Sequence, residues 1–152
     1  MAKVVIEGLA GLKAFAGKDV GVSEWREMRF EDIVKFADAT SDHQWIHVDR
    51  ERAKAGPFGA PVAHGYFTLS LVAGLFFEMI DVRGFKAVIN YGLGKVRFPT
   101  PLREGKRYRL ALKLAEVKEG PGGADATFAA AVEVEGETKP ACAAELIFRF
   151  VG

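Results

Sequence analysis

Between Val62 and Ile80 the chain is apolar almost without interruption, and this stretch limits the available folds more than any other. It falls short of the roughly 20 clean residues that a membrane span requires. It also carries His64, Thr68, Ser70 and Glu78. A helix that is hydrophobic on every face and lies outside a membrane must be enclosed by protein. The pattern therefore predicts a buried central helix, about Gly65–Ile80, and leaves the rest of the chain to supply its cover.

The second half has the pattern of such a cover. Tyr108, Leu110, Leu112 and Leu114 alternate with polar or small residues, as do Phe128, Ala130, Val132 and Val134, and then Cys142, Ala144, Leu146, Phe148 and Phe150. Period-two alternation marks strands with one face buried. Gly120-Pro121-Gly122-Gly123 and Glu135-Gly136-Glu137 separate them as hairpin turns. Phe85 to Phe98 reads as extended chain, with Gly92 and Gly94 at a bulge or bend. The economical arrangement is α+β, an antiparallel sheet wrapped around the helix. About five strands cannot enclose a helix alone, so a second copy of the chain is expected.

The first half is more mixed. Met1 to Gly17 has Lys3 near its start and Ala14-Phe15-Ala16, which imitates a cleavage site, but Glu7 and Lys13 interrupt the apolar run a signal peptide needs. Val5, Leu9, Leu12 and Phe15 instead predict a short amphipathic helix. Val22 to Met28 suits a first strand, and Phe30 to Thr40 carries a helical stripe of Phe30, Ile33, Val34, Phe36 and Ala37. A polar stretch follows from Ser41, then a short helix from Arg50 to Ala55 with Asp49 as its N-cap. Gly56-Pro57-Phe58-Gly59-Ala60-Pro61 is a turn-rich loop leading into the central helix.

Composition narrows the function. With 152 residues, 49% of them hydrophobic, the chain reads as one globular domain spanning 1–152. A domain of this size buries roughly 70% of the surface its unfolded chain exposes. A net charge of +1 gives no global field toward nucleic acid or an anionic membrane. The one cysteine, Cys142, alternates with inward apolar residues, so it reads as core and suits a reducing, cytoplasmic setting.

All three histidines, His43, His47 and His64, fall in the stretch where chemistry would collect. Two lie in the polar loop beside Asp42 and Asp49, and the third stands where the Gly-Pro loop meets the central helix. A helix start offers unpaired backbone N–H groups suited to a developing oxyanion. Taken alone, an Asp-His pair in a loop also fits a surface hydrogen bond. The i,i+4 spacing of His43 and His47 would also fit a metal, although the Glu of a zinc-protease motif is missing.

The run Phe36-Ala37-Asp38-Ala39-Thr40-Ser41-Asp42-His43-Gln44-Trp45-Ile46-His47-Val48-Asp49, followed by Gly56-Pro57-Phe58-Gly59-Ala60-Pro61-Val62-Ala63-His64-Gly65, resembles the MaoC-like (R)-specific enoyl-CoA hydratases. More closely it resembles their branch related to nodulation protein N, as do Ile89-Asn90-Tyr91-Gly92-Leu93-Gly94-Lys95-Val96-Arg97-Phe98-Pro99 and Lys139-Pro140-Ala141-Cys142. The resemblance covers nearly the whole chain, and its signature is an Asp, a His five positions later and the His-Gly that opens the helix.

The resemblance implies a hot-dog fold working as a homodimer on an acyl-CoA, or an acyl carrier protein thioester. It implies Asp42 and His47 as catalytic residues holding one water against the β-carbon of a trans-2-enoyl thioester. It further implies the Gly65 N–H as donor to the thioester oxygen, and Gln44, His64, Asn90 and Gly92 as substrate-binding residues. Many hydratases of the family have Asn-Pro where this chain has Gln44-Trp45, which bears on the shape of the acyl pocket. The expected reaction is syn addition of water, or its reverse, with Asp42 favoured as base and the exchanged roles open. It needs neither metal nor organic cofactor. A hot-dog acyl-CoA thioesterase and a non-catalytic acyl-CoA-binding module are the rival readings. Lys95, Arg97, Arg103, Lys106, Arg107 and Arg109 form the densest basic stretch, fitting either CoA phosphates or a solvated strand face.

Overall fold

The structure, a computed structural model, describes residues 2–152, so Met1 of the predicted N-terminal helical segment lies outside the described residues. The rest of that segment is not one helix. Val4–Glu7 is a strand, β1, and only Gly8–Phe15 is helical, α1. The β-branched run Val4-Val5-Ile6 favours extended chain. Gly8, at φ +63°, then turns the backbone through the left-handed region before the helix begins. β1 pairs in parallel with β4, Ile80–Arg83, through the register Val4 to Ile80. Ile6 and Leu12 thus reach the core while Val5 faces outward.

The predicted strand Val22 to Met28 is displaced and split into β2, Asp19–Val22, and β3, Arg26–Glu27. Both lie antiparallel to β6, Arg107–Gly120. The break falls at Ser23, whose side-chain oxygen accepts from the Leu110 N–H at 2.8 Å while its own N–H donates to Leu110 O. A side chain has taken over one rung of the ladder, which no alternation pattern signals.

The helix α2 occupies Phe30–Thr40 as predicted, with Ile33 and Ala37 buried. Two short helices follow, α3, Trp45–Val48, and α4, Arg50–Lys54. The Asp49 carboxylate caps α4 by accepting from Arg52 N at 3.1 Å. The central helix α5 spans Gly65–Met79, and Ile80 already belongs to β4. Val62 and Ala63 stay extended because they bond across to the 102–103 strip: Val62 bridges Arg103, and Ala63 N donates to Leu102 O at 2.8 Å.

The main sheet runs β2-β6-β7-β8-β5, with β5 at Ala87–Arg97, β7 at Gly123–Val134, β8 at Cys142–Val151 and β3 beside β6. The predicted inward residues of β6, β7 and β8 are all buried, and Val72, Leu75, Phe76 and Met79 of α5 pack into them. Phe76 meets Phe128 and Phe148 edge-on, with centroids 4.9 and 4.7 Å away. Such pairs contribute about 0.5–1.5 kcal/mol beyond area burial. Register shifts between Asn90 and Gly92, and between Leu93 and Val96, bend β5 at its two glycines.

This is the hot-dog arrangement, but a single chain leaves it unfinished. As expected of about five strands, one chain does not enclose α5: Tyr66 is 73% exposed and Phe77 49% exposed. The sheet lies along one side of the helix only, and β5, an edge strand, shows Ile89, Tyr91 and Leu93 to solvent. Among the described residues no helix is long and apolar enough to cross a membrane.

Candidate active site

Three chain segments converge at the start of α5. Helix α2 ends at Ser41, which takes a left-handed conformation, φ 65°, and reverses the chain into Asp42. The Asp42 carboxylate accepts from the Gln44 N–H at 3.4 Å, a loose Asx turn that orients it. Helix α3 brings in His47, and the Gly-Pro loop brings His64 to the N-cap position of α5. One carboxylate oxygen of Asp42 and one ring nitrogen from each of His47 and His64 lie within 4.8 Å of one another. Asp42 is open to solvent, whereas His47 is 7% and His64 2% exposed.

Backbone carbonyls fix both imidazole tautomers. His47 Nδ1 lies 2.6 Å from Val62 O, and His64 Nε2 lies 2.9 Å from Asp42 O. A carbonyl only accepts, so each of these nitrogens carries hydrogen in the neutral ring. The His47 Nε2 therefore presents a lone pair, and so does the His64 Nδ1, a buried atom with no hydrogen-bond partner among the described residues. Burial pushes the His64 pKa below the usual histidine value, the Asp42 carbonyl opposing and the neighbouring His47 adding to the fall. The two rings stack with centroids 3.8 Å apart and planes 20° from parallel.

That stacking decides what the cluster can hold. A metal must lie in the plane of each imidazole that ligates it, at about 2.0–2.1 Å for zinc. Two rings stacked nearly parallel, with centroids offset between planes, send their lone pairs along separate planes. The arrangement suits a water that donates to acceptors at Asp42 and His47. The i,i+4 spacing of His43 and His47 does not bring the two rings together. Residues 43–47 are not one helix, and His43 Nε2 pairs outward with Asp38 Oδ1 at 2.8 Å.

Gly65 is the first residue of α5, where backbone N–H groups have no partner within the helix. Its hydrogen side faces the ring of Phe98, for a Cβ there would come within 3.2–3.3 Å of three ring atoms. In the sequence motif Phe98 has no evident role; only the close approach to Gly65 reveals one. Val62 is likewise legible only in structure, because it acts through its carbonyl.

The other predicted residues are spread more widely. Gln44 contributes its backbone N–H to Asp42, and its side chain is exposed. Asn90 and Gly92 line an open cavity of about 370 Å³ between α5 and β5, together with Leu69, Ser70, Ala73 and Phe148. Asp42, His47 and His64 are not among its walls. A larger cavity of about 730 Å³ lies on the outer face of the sheet over Ala111, Ala131 and Ala143, with Lys95 and Arg97 of the basic stretch in its lining and none of Asp42, His47, His64 and Gly65. Of the basic stretch, Arg103, Arg107 and Arg109 pair with Glu137, Glu135 and Glu133 along the strand face. Cys142 is core, its thiol pushed up to about 11 by burial.

Comparison with known proteins sets this geometry in a family. Residues 12–137 match the family model described as MaoC like domain. The chain is 53% identical over 146 residues to 3-hydroxyacyl-thioester dehydratase Z of Mycobacterium tuberculosis, covering 95% of this chain and 97% of the relative. It is 41% identical over 142 residues to nodulation protein N of Rhizobium leguminosarum bv. viciae, covering 91% and 88%. Among solved structures, an (R)-hydratase from A. caviae superposes with a TM-score of 0.70 at 20% identity, covering 88% of this chain and 98% of that one.

Proposed function

Since the chain belongs to the MaoC-like domain family, in the branch that includes nodulation protein N, we propose that it is a hydro-lyase interconverting 3-hydroxyacyl and trans-2-enoyl thioesters. The name of the mycobacterial relative supports the reaction class. The observation that carries the reading is the fixed tautomer of His47. With Nδ1–H spent on Val62 O, its Nε2 is left with the lone pair, and a ring nitrogen of His47 lies within 4.8 Å of an Asp42 carboxylate oxygen at the start of α5.

The chemistry follows from what water lacks. Water attacks a conjugated alkene only if a base removes its proton and something stabilises the charge moving onto the thioester oxygen. Asp42 and His47 each accept one hydrogen of the water, leaving an oxygen lone pair toward the β-carbon. As the C–O bond forms, Asp42 takes the proton and the alkene electrons move to an enolate. The Gly65 N–H donates to the enolate oxygen, and the partial positive charge of the helix start adds to it. The protonated pair then returns a proton to the α-carbon on the same face, giving syn addition and the (R)-3-hydroxyacyl product. Dehydration is the same path reversed. Gln44, His64, Asn90 and Gly92 line the path of a substrate carried on CoA or acyl carrier protein, and the reaction takes no organic cofactor.

The working unit is a homodimer of one-domain chains, 1–152. The exposed Tyr66–Phe77 face of α5 and the apolar edge of β5 are contiguous with the 370 Å³ cavity, so a second copy would close both at once. Sedimentation of the native protein and of L93K tests this, with a dimer expected for the first and a monomer for the second. The cytoplasm is the compartment that suits the unpaired Cys142.

The decisive assay mixes the protein with crotonyl-CoA, follows loss of the conjugated absorbance and determines product chirality. Formation of (R)-3-hydroxybutyryl-CoA, lost in D42N and H47Q, is the expected result. Release of free thiol would replace it with a thioesterase. Absence of turnover on short and long enoyl-CoA by a folded protein would leave an acyl-binding module.

A further inference from the structure

We infer that His64 is a positioning residue, its edge holding the Asp42 backbone and its face holding the His47 ring, so that one buried side chain registers both water-binding groups against the helix start. This rests on the hydro-lyase reading for its kinetic consequence and on geometry alone for its structural one. It is a task separate from any contact His64 makes with substrate.

The geometry is specific to an imidazole. The edge donates through Nε2–H to Asp42 O at 2.9 Å, tying the 41–44 loop to α5 across 22 residues of sequence. The face stacks on His47 at 3.8 Å, and Phe36 packs against the same imidazole at 4.8 Å with its ring tilted by 54°. Phe36 in turn stacks on Phe67 of α5 at 5.0 Å. The His47 ring is thus linked through a chain of packed rings, His64, Phe36 and Phe67, to the same helix that presents Gly65. With Val62 O holding its Nδ1–H and the packed rings behind its face, His47 has little freedom to rotate its Nε2 away from the water.

The task also requires His64 to stay neutral. The titratable groups facing it are Asp42, His43 and His47. A proton on His64 would set a positive charge 3.8 Å from the centre of the His47 ring and weaken that ring as an acceptor. Burial opposes that proton. The neutral ring needs only its Nε2–H, which accounts for a buried Nδ1 left without a donor.

Three substitutions separate the two contacts. H64F keeps a stacking ring without the N–H, H64Q keeps an N–H without the ring, and H64A keeps neither. With an enoyl-CoA substrate, H64A is expected to lose about 10–100-fold in kcat, as small misplacements of reacting groups do, with KM within about threefold. H64F and H64Q should each restore part of that loss. In parallel, nitrogen-15 spectra of the three imidazoles read the structural claim without turnover. Wild type should show His64 as the Nε2–H and His47 as the Nδ1–H tautomer, and the His47 signals should average in H64A and H64Q but not in H64F.

The inference is overturned by wild-type kcat in H64A, by equal loss in all three variants, or by a cationic or Nδ1–H His64. If the wild-type protein turns over no enoyl thioester, the hydro-lyase reading fails, and the spectra alone then decide for or against His64.

Discussion

His43 and His47 stand four positions apart in the chain, each near a carboxylate, and the fold gives them opposite fates. His43 lies on the surface, its Nε2 paired with Asp38 Oδ1 at 2.8 Å and its side chain half exposed. Exposed pairs of that kind contribute about 0–1 kcal/mol. His47 is buried, bonded to a main-chain carbonyl, and stacked on a second histidine. Residue type and spacing do not distinguish them. What does is the start of α3 at Trp45, which turns His47 inward while His43 still belongs to the exposed reversal after α2. A histidine becomes a reagent where a rigid acceptor fixes its tautomer and burial removes competing water, and only one of these two meets both conditions.

The largest contrast is therefore in activity. H47Q and D42N are each expected to lower kcat/KM for enoyl-CoA hydration by about 10²–10⁴-fold, the range for losing a positioned acid-base group. H43Q should stay within about twofold of wild type. Steady-state kinetics of the three variants would break the distinction if H43Q fell with the others, for that would give the exposed pair a share in the reaction.

A sharper version separates a side chain from a backbone group at the helix start. Gly65 is the first helical residue, a position where proline is tolerated because its N–H has no helical partner anyway. His64, at φ −56° and ψ 141°, already has the extended conformation that a residue before proline prefers. G65A and G65P both push a Cβ toward the Phe98 ring, but only G65P removes the N–H. The proline variant should lose about 10²–10³-fold more in kcat than the alanine variant, the magnitude for one oxyanion donor. Equal losses would assign Gly65 to packing against Phe98 alone.

The same division between side chain and backbone explains what is legible in the sequence. Period-two alternation locates β6, β7 and β8 with every inward residue correct, because buried side chains write that pattern directly. It is for the same reason that the apolar run places the central helix to within a residue at its C-terminus. Residue type and resemblance to a family single out Asp42, His47, His64 and Gly65. Nothing in the pattern announces the Ser23 rung, the β1–β4 pair or the Val62 carbonyl, because these are main-chain partnerships. The exposed face of α5 is hidden differently. The strand count says that one chain cannot enclose an all-apolar helix, but not which residues stay uncovered, and Tyr66 and Phe77 mark that face.

The smallest effect is in stability, and its sign carries the information. His64 has a folded-state pKa below its ordinary 6.5, chiefly because burial disfavours the cation. At a pH well above 6.5 both folded and unfolded chains hold His64 neutral, and there is no penalty. As pH falls through about 6.5 the unfolded chain binds a proton that the folded chain refuses, so the folded state loses stability until its own lower pKa is reached. H64Q cannot titrate there. Its melting temperature should therefore gain on wild type as pH is lowered from 7.5 to 5, whatever the offset between them at high pH. Each kcal/mol corresponds to about 2–4 °C for a chain of this size. The opposite trend, with H64Q falling behind in acid, would mean that folding favours a cationic His64, held by the Asp42 carboxylate rather than its carbonyl. His47 would then work beside a positive charge, and the contrast with His43 would rest on electrostatic activation instead of burial.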